Sequence, residues 1–172
     1  MKTLTTILTI VLIVISNMAF SVSQKKSNPA PKPGSTNSQK EMYVSIDGDI
    51  YKMDASDKNV SPVKININTK YEESSPALSI DGNTLYFVTD RKGGHGGKDI
   101  WASEKLSNGN WTEPYNLGNQ INTCNDENYP VIMNDGVTLL FTSNGRNENN
   151  ANEYYSVTMN DEGLWSVPEK AQ

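Results

Sequence analysis

The sequence predicts an all-β fold: tandem four-stranded antiparallel blades of propeller type, two full blades and a partial one in an open arc. Three observations carry this. The chain repeats itself at an offset of 54 residues (Glu127 against Glu73). Short runs rich in β-branched and aromatic residues alternate with Asp-Gly and Asn-Gly turns. No long stretch beyond the N-terminus shows apolar residues at helical spacing.

The chain has 172 residues, 35% of them apolar. It opens with Lys2 and the apolar run "ILTIVLIVI", followed by small residues. That is the pattern of a secretory signal peptide, residues 1–23, cleaved after Ser21 or Ser23. The run is short for a membrane span and broken by Thr, Ser and Asn. Membrane association is therefore expected only if the segment stays uncleaved, and export places the chain in the periplasm or outside the cell. No Cys lies near the cleavage region, which argues against a lipid-modified N-terminus. Residues 24–41, "QKKSNPAPKPGSTNSQKE", have no large apolar side chain to offset ordering entropy and read as a flexible tether.

Residues 42–172 hold the repeats: a partial blade at 42–68, then blades at 69–122 and 123–172. "ESSPALSIDGNTLYFVTD" from Glu73 aligns without a gap with "ENYPVIMNDGVTLLFTSN" from Glu127. Glu73 meets Glu127, Pro76 meets Pro130, and Asp81-Gly82 meets Asp135-Gly136. Downstream, Trp111 meets Trp165 and Pro114 meets Pro168; upstream, "INT" at Ile67 meets "INT" at Ile121. A gap-free match of this length marks an internal repeat. In the first unit, strands are expected at residues 76–80, 84–89, 99–104 and 111–117. In the second they are expected at 130–133, 138–143, 153–159 and 164–167. Four strands per unit of this size is the pattern of a propeller blade. Upstream, "MYVSIDGDIYKMD" gives two strands around Asp47-Gly48, and residues 61–67 supply an outer strand. Its innermost strand is missing. Two chains, each with nearly three blades, would close a six-bladed ring as a homo-dimer.

The motifs "SxDGxTLYF" and "TDR…GGKDIWAS" resemble the TolB-type, WD-like β-propeller repeat of bacterial envelope proteins. "GGxGGxDIW…GxWxxPxNLGxxINTxxDExxP" is similar to versions common in Bacteroidota, often beside peptidoglycan-binding OmpA-like domains. The resemblance covers both full units, and Asp99 and Trp101 sit in its motif. The second unit departs from it, with Glu153-Tyr154-Tyr155 in place of Asp99-Ile100-Trp101. The resemblance implies a non-catalytic envelope module that binds a protein or glycan partner through its blade loops.

Charge and motifs narrow the chemistry. The net charge of −5 divides into +1 from Lys2, +3 on the tether and −9 from Met42 onward, which argues against a nucleic-acid partner. One Cys, Cys124, and one His exclude a disulfide framework and a cysteine-based zinc site. The loop "DRKGGHGGK" precedes a strand, not a helix, and lacks the Lys-Ser/Thr end of a phosphate loop. Its glycines are expected to supply positive φ in a hairpin connection. "NDEN" at residues 125–128 lacks the spaced carboxylates of a calcium loop. The Gly-x-Ser-x-Gly elbow is absent, and no carboxylate pair stands out for glycoside hydrolysis. No catalytic residue, cofactor or metal is expected. The weak partner-binding candidates are Arg91, Lys92, His95, Lys98 and Arg146. The alternative is a sialidase-like glycan-active enzyme, because "SIDGNT" is similar to an Asp-box. There the glycine comes one place early and Leu85 stands where Trp would.

Overall fold

The computed structural model describes residues 41–53, 59–63 and 66–171. The signal peptide and nearly all of the tether lie outside the described residues, so both stand as expectations. The described residues form eleven strands and no helix: β1 (Met42–Ile46), β2 (Asp49–Met53), β3 (Val60–Pro62), β4 (Glu73–Leu78), β5 (Thr84–Thr89), β6 (Asp99–Glu104), β7 (Tyr115–Asn116), β8 (Glu127–Ile132), β9 (Thr138–Ser143), β10 (Glu153–Thr158) and β11 (Glu169–Lys170).

They make three antiparallel sheets in chain order, β1-β2-β3, β4-β5-β6-β7 and β8-β9-β10-β11. Each is a meander, and the three stack as an open arc of partial and full blades. The central hairpins fall where the sequence predicts them, with Thr84 opposite Glu104 and Thr138 opposite Thr158. Among the described residues the first sheet has three strands, β1-β2-β3.

The inner and outer strands differ from expectation in a repeated way. β4 and β8 begin at the glutamates, three residues early, because a bulge before Pro76 and Pro130 lets pairing resume beyond the irregularity. Ser75 and Tyr129, at matching positions in the bulge, take positive φ of 50° and 54°. The outer strands are later and shorter than the spans around Trp111 and Trp165. Those two tryptophans make only isolated bridges, to Lys105 and Met159. Pro114 and Pro168 bring no N–H to the ladder, so pairing restarts only after them. Between bridge and strand a hydroxyl takes over: Thr112 Oγ1 and Ser166 Oγ accept from the N–H groups of Glu104 and Thr158.

Strand alternation divides the core into two joints. Ile50, Val63 and Ile67 pack against Leu85, Phe87, Trp101 and Trp111. One blade further, Val88, Ile100 and Ile121 pack against Leu139, Phe141, Tyr155 and Val157. Each joint repeats the same edge-to-face pair, Tyr43 on Trp111 at 5.8 Å and Tyr86 on Trp165 at 6.4 Å. Trp111 is buried, whereas Trp165 is only half-buried.

Candidate functional site

Most of the repeated polar residues assemble the joints. Ile67 and Ile121 are fully buried, and the asparagine after each, the last residue of its unit, clasps the isoleucine strand of that unit. Asn68 accepts from the N–H of Ile50 at 2.7 Å and donates to its C=O at 2.8 Å. Asn122 does the same to Ile100, at 2.8 and 2.9 Å. The side-chain amide thus extends the sheet where the main chain turns away. The next residue is held by the repeat glutamate. Glu73 accepts from the N–H and hydroxyl of Thr69 at 2.8 and 2.6 Å, and Glu127 does so from Thr123 at 2.7 Å each. Thr89 and Ser143 complete the two carboxylate shells. Both glutamates are fully buried, and their backbone partner is the lead-in segment of their own blade.

Arg91 and Arg146 close the joints from the loop side. Arg91 donates to the carbonyls of Asn66 and Ile67 at 3.1 and 2.6 Å, and meets Glu73 at 3.2 Å. Its side chain is 9% exposed and lies over Phe87 and Trp101. Arg146 reaches the carbonyls of Gln120 and Ile121 at 2.8 and 2.5 Å and lies over Phe141 and Tyr155. Burial lowers the pKa of both guanidiniums, opposed by Glu73 and Glu127 respectively. These two binding candidates are therefore occupied in holding blades together. Sequence reasoning missed this because they lie 55 residues apart, one off the repeat register.

The other three candidates, Lys92, His95 and Lys98, share the loop between β5 and β6. Lys92 and His95 are exposed. The loop is nonetheless clamped from both sides. The buried Asp99 carboxylate accepts from the N–H groups of His95 and Gly96 and from Asn116 Nδ2. Across the joint, Gly97 N–H donates to Asn125 O at 3.0 Å, and Lys98 N–H to Asp126 Oδ1 at 2.9 Å. The glycines serve this clamp rather than hairpin dihedrals. Only Gly93 has positive φ, 94°. A Cβ at Gly94 would collide with the Asp99 carboxylate, and one at Gly96 with the main chain of residues 123–125.

Lys98 Nζ also bonds Glu72 at 2.9 Å. Glu72 lines an open depression of about 530 Å³ with Asp47, Gly48, Asp49, Thr69, Lys70 and Tyr71. The loop thus stands beside a polar hollow at the first joint. Among the described residues no group of three or more His, Cys, Asp or Glu side chains is placed to hold a metal. Cys124 is exposed and unpaired. The Asp-Gly turns are self-contained. Asp81 accepts from Ser79 Oγ and Asn83 N–H, and Asp135 from Thr138 and Val137, which holds both carboxyls below their ordinary range.

At the start of the domain, Glu41 bonds Lys52 at 2.7 Å and Lys105 at 2.5 Å, linking the first blade to the second. Burial would raise the Glu41 carboxyl, but the two lysines outweigh it and bring it to about 2.

The described residues define an all-β arrangement of tandem blades, with the loop of residues 90–98 hydrogen-bonded on both sides. No protein-family model matches it, and no curated protein matches it. Among solved structures it is similar to TolB from Acinetobacter baumannii, at 20% identity and a TM-score of 0.45. That match covers 69% of this chain and 26% of the other, so this chain spans about a quarter of that protein's length.

Proposed function

We propose that this chain is an exported, non-catalytic module of the cell envelope that binds a protein or glycan through the loops at one end of its blades. One observation carries the reading. The loop of residues 90–98 is turned to solvent yet fixed by Asp99, Asn125 and Asp126. A binding surface gains affinity from such preorganisation, because less ordering is left to complete on contact. The domain's acidity favours a partner other than nucleic acid. The enzyme alternative finds less support, because Arg91 and Arg146 are committed to carbonyls at the joints and cannot also clamp a substrate carboxylate.

The test is affinity capture. The purified chain, immobilised through residues 24–41, is exposed to solubilised envelope proteins in one arm and to isolated peptidoglycan in the other. Specific retention in either arm, weakened by Lys92→Glu, supports the reading. Turnover of a sialoside substrate, or retention indifferent to every loop substitution, counts against it.

A further inference from the structure

The hollow at the first joint has a counterpart at the second joint, and there it is filled. One wall of the hollow is residues 69–72. At the repeat offset their counterparts are residues 123–126. A matched pair of hydrogen bonds sets the register of the other wall. Glu73 N–H donates to Gly48 O at 2.7 Å, and Glu127 N–H donates to Lys98 O at 2.7 Å. Asp49 therefore stands where Asp99 stands. What differs is the connection between the central strands. Only Asp47-Gly48 joins β1 to β2, whereas residues 90–98 join β5 to β6.

At the second joint the main chain of that longer loop takes up the space. Gly97 N–H donates to Asn125 O at 3.0 Å, and Lys98 N–H to Asp126 Oδ1 at 2.9 Å. The Asp99 carboxylate accepts from the N–H groups of His95 and Gly96. The fit requires glycine. A Cβ on Gly96 would strike the main chain of residues 123–125, and one on Gly97 the Asp126 carboxylate. At the first joint the acceptors remain without those donors. Among the described residues nothing donates to the Asp49 carboxylate, or to Tyr71 O, the counterpart of Asn125 O. Glu72, the counterpart of Asp126, is held at one oxygen by Lys98 Nζ. The open volume against these groups is about 530 Å³.

We infer that this hollow binds a glycine-containing peptide segment of a protein partner, with its main-chain N–H groups on Asp49 and Tyr71 O. The molecule's own loop, seated on Asp99 and Asn125 O, is the template for that ligand. A hollow lined by acceptors suits main-chain N–H groups, because a donor taken out of water needs an acceptor. Asp47 and Asp49 add a preference for a segment that carries Lys or Arg. The inference deepens the proposed binding role, on which it rests for the existence of a partner, and narrows the ligand to a peptide.

The probe is a capped synthetic peptide of residues 91–98, Arg-Lys-Gly-Gly-His-Gly-Gly-Lys, titrated into the isotopically labelled chain with EDTA present. Backbone amide shifts locate it. So few contacts lead to an expected Kd of about 1 mM, with shifts centred on Asp49, Tyr71 and Glu72. The same peptide carrying Gly96→Ala and Gly97→Ala should bind at least about fivefold more weakly, since each methyl group meets the wall. Asp49→Ala in the chain breaks no hydrogen bond to a described residue and should weaken the glycine peptide at least about fivefold. Absence of these shifts, shifts confined to residues 123–126, equal binding of the alanine peptide, or indifference to Asp49→Ala overturns the inference. So does a trisaccharide of N-acetylglucosamine that moves the same amides at lower concentration. Envelope capture that persists through any of those results leaves the broader binding role standing. Failed capture with peptide binding intact removes that role and not the hollow's preference.

Discussion

The second and third blades share a backbone but not a destiny for their outward sides. Val88, Ile100 and Ala102 become Thr142, Tyr154 and Ser156 at the same places in the ladder. The inward sides hardly change: Leu85 and Phe87 recur as Leu139 and Phe141, and Trp101 becomes Tyr155. The difference teaches that the hydrophobic demand sits on one side of each sheet only where another blade follows. The third blade keeps the apolar side that packs on the second and carries hydroxyls in place of methyl groups on the other.

The largest test of this contrast compares Ile100→Ala with Tyr154→Ala. Ile100 is fully buried in the second joint, so its truncation should cost about 2–5 kcal/mol. Tyr154 is mostly exposed, and its truncation should shift the melting of dilute protein by no more than about 0.5 kcal/mol. Equal losses in chemical denaturation would erase the distinction between joint and end.

The asparagine clasps sharpen it next. Asn122→Ala strips the buried N–H and C=O of Ile100 of a partner and should cost about 1–3 kcal/mol. Asn68→Ala acts on the same geometry at a more exposed joint and should cost less. Hydrogen exchange at the amides of Ile50 and Ile100 locates each effect. A loss at Asn68 exceeding that at Asn122 would show that burial does not set the scale.

The first joint carries an ionic contribution of its own. Glu41 has its carboxyl lowered from an ordinary 4.5 to about 2 by Lys105 and Lys52. A lowered carboxylate stabilises the fold above its ordinary value, and that contribution fades as pH falls from about 4.5 towards 2. Discounted for solvent screening, Glu41→Gln should lose about 1 kcal/mol at neutral pH. It should also flatten the decline in melting temperature over that acid window. An unchanged acid limb would remove Glu41 from the account.

The smallest effect belongs to the loop. His95 lends its main-chain N–H to Asp99 while its ring is exposed, so His95→Ala should leave stability within about 0.5 kcal/mol. Gly96→Ala is the contrasting probe, since its new methyl would strike the main chain of the neighbouring loop. It should be clearly worse than the histidine change in the same melt.

How much of this the sequence discloses depends on the range of the interaction. β5, β6 and β9 are legible to the residue, because short runs rich in β-branched and aromatic residues and the turn dipeptides beside them are local signals. The outer strands are not, because Pro114 and Pro168 interrupt pairing inside runs that otherwise look extended. The buried glutamates and the threonines of the two INT segments both stand out through the repeat, but the repeat does not disclose that they meet. The glycines of residues 93–97 are legible as a loop but not as a close approach. What Gly96 and Gly97 avoid is the segment of residues 123–126, far along the chain.

The asparagine clasp has a consequence for how such a chain can grow. Asn68 and Asn122 each bond the main-chain N–H and C=O of one isoleucine in the blade that receives them, and Asn122 also donates to Asn116 Oδ1 at 2.9 Å. Recognition at that point is therefore blind to the identity of the receiving residue. A unit copied and inserted between two others would carry the clasp and its main-chain attachment point with it. The length of the array can then change by whole units while the lock between neighbours keeps the same chemistry.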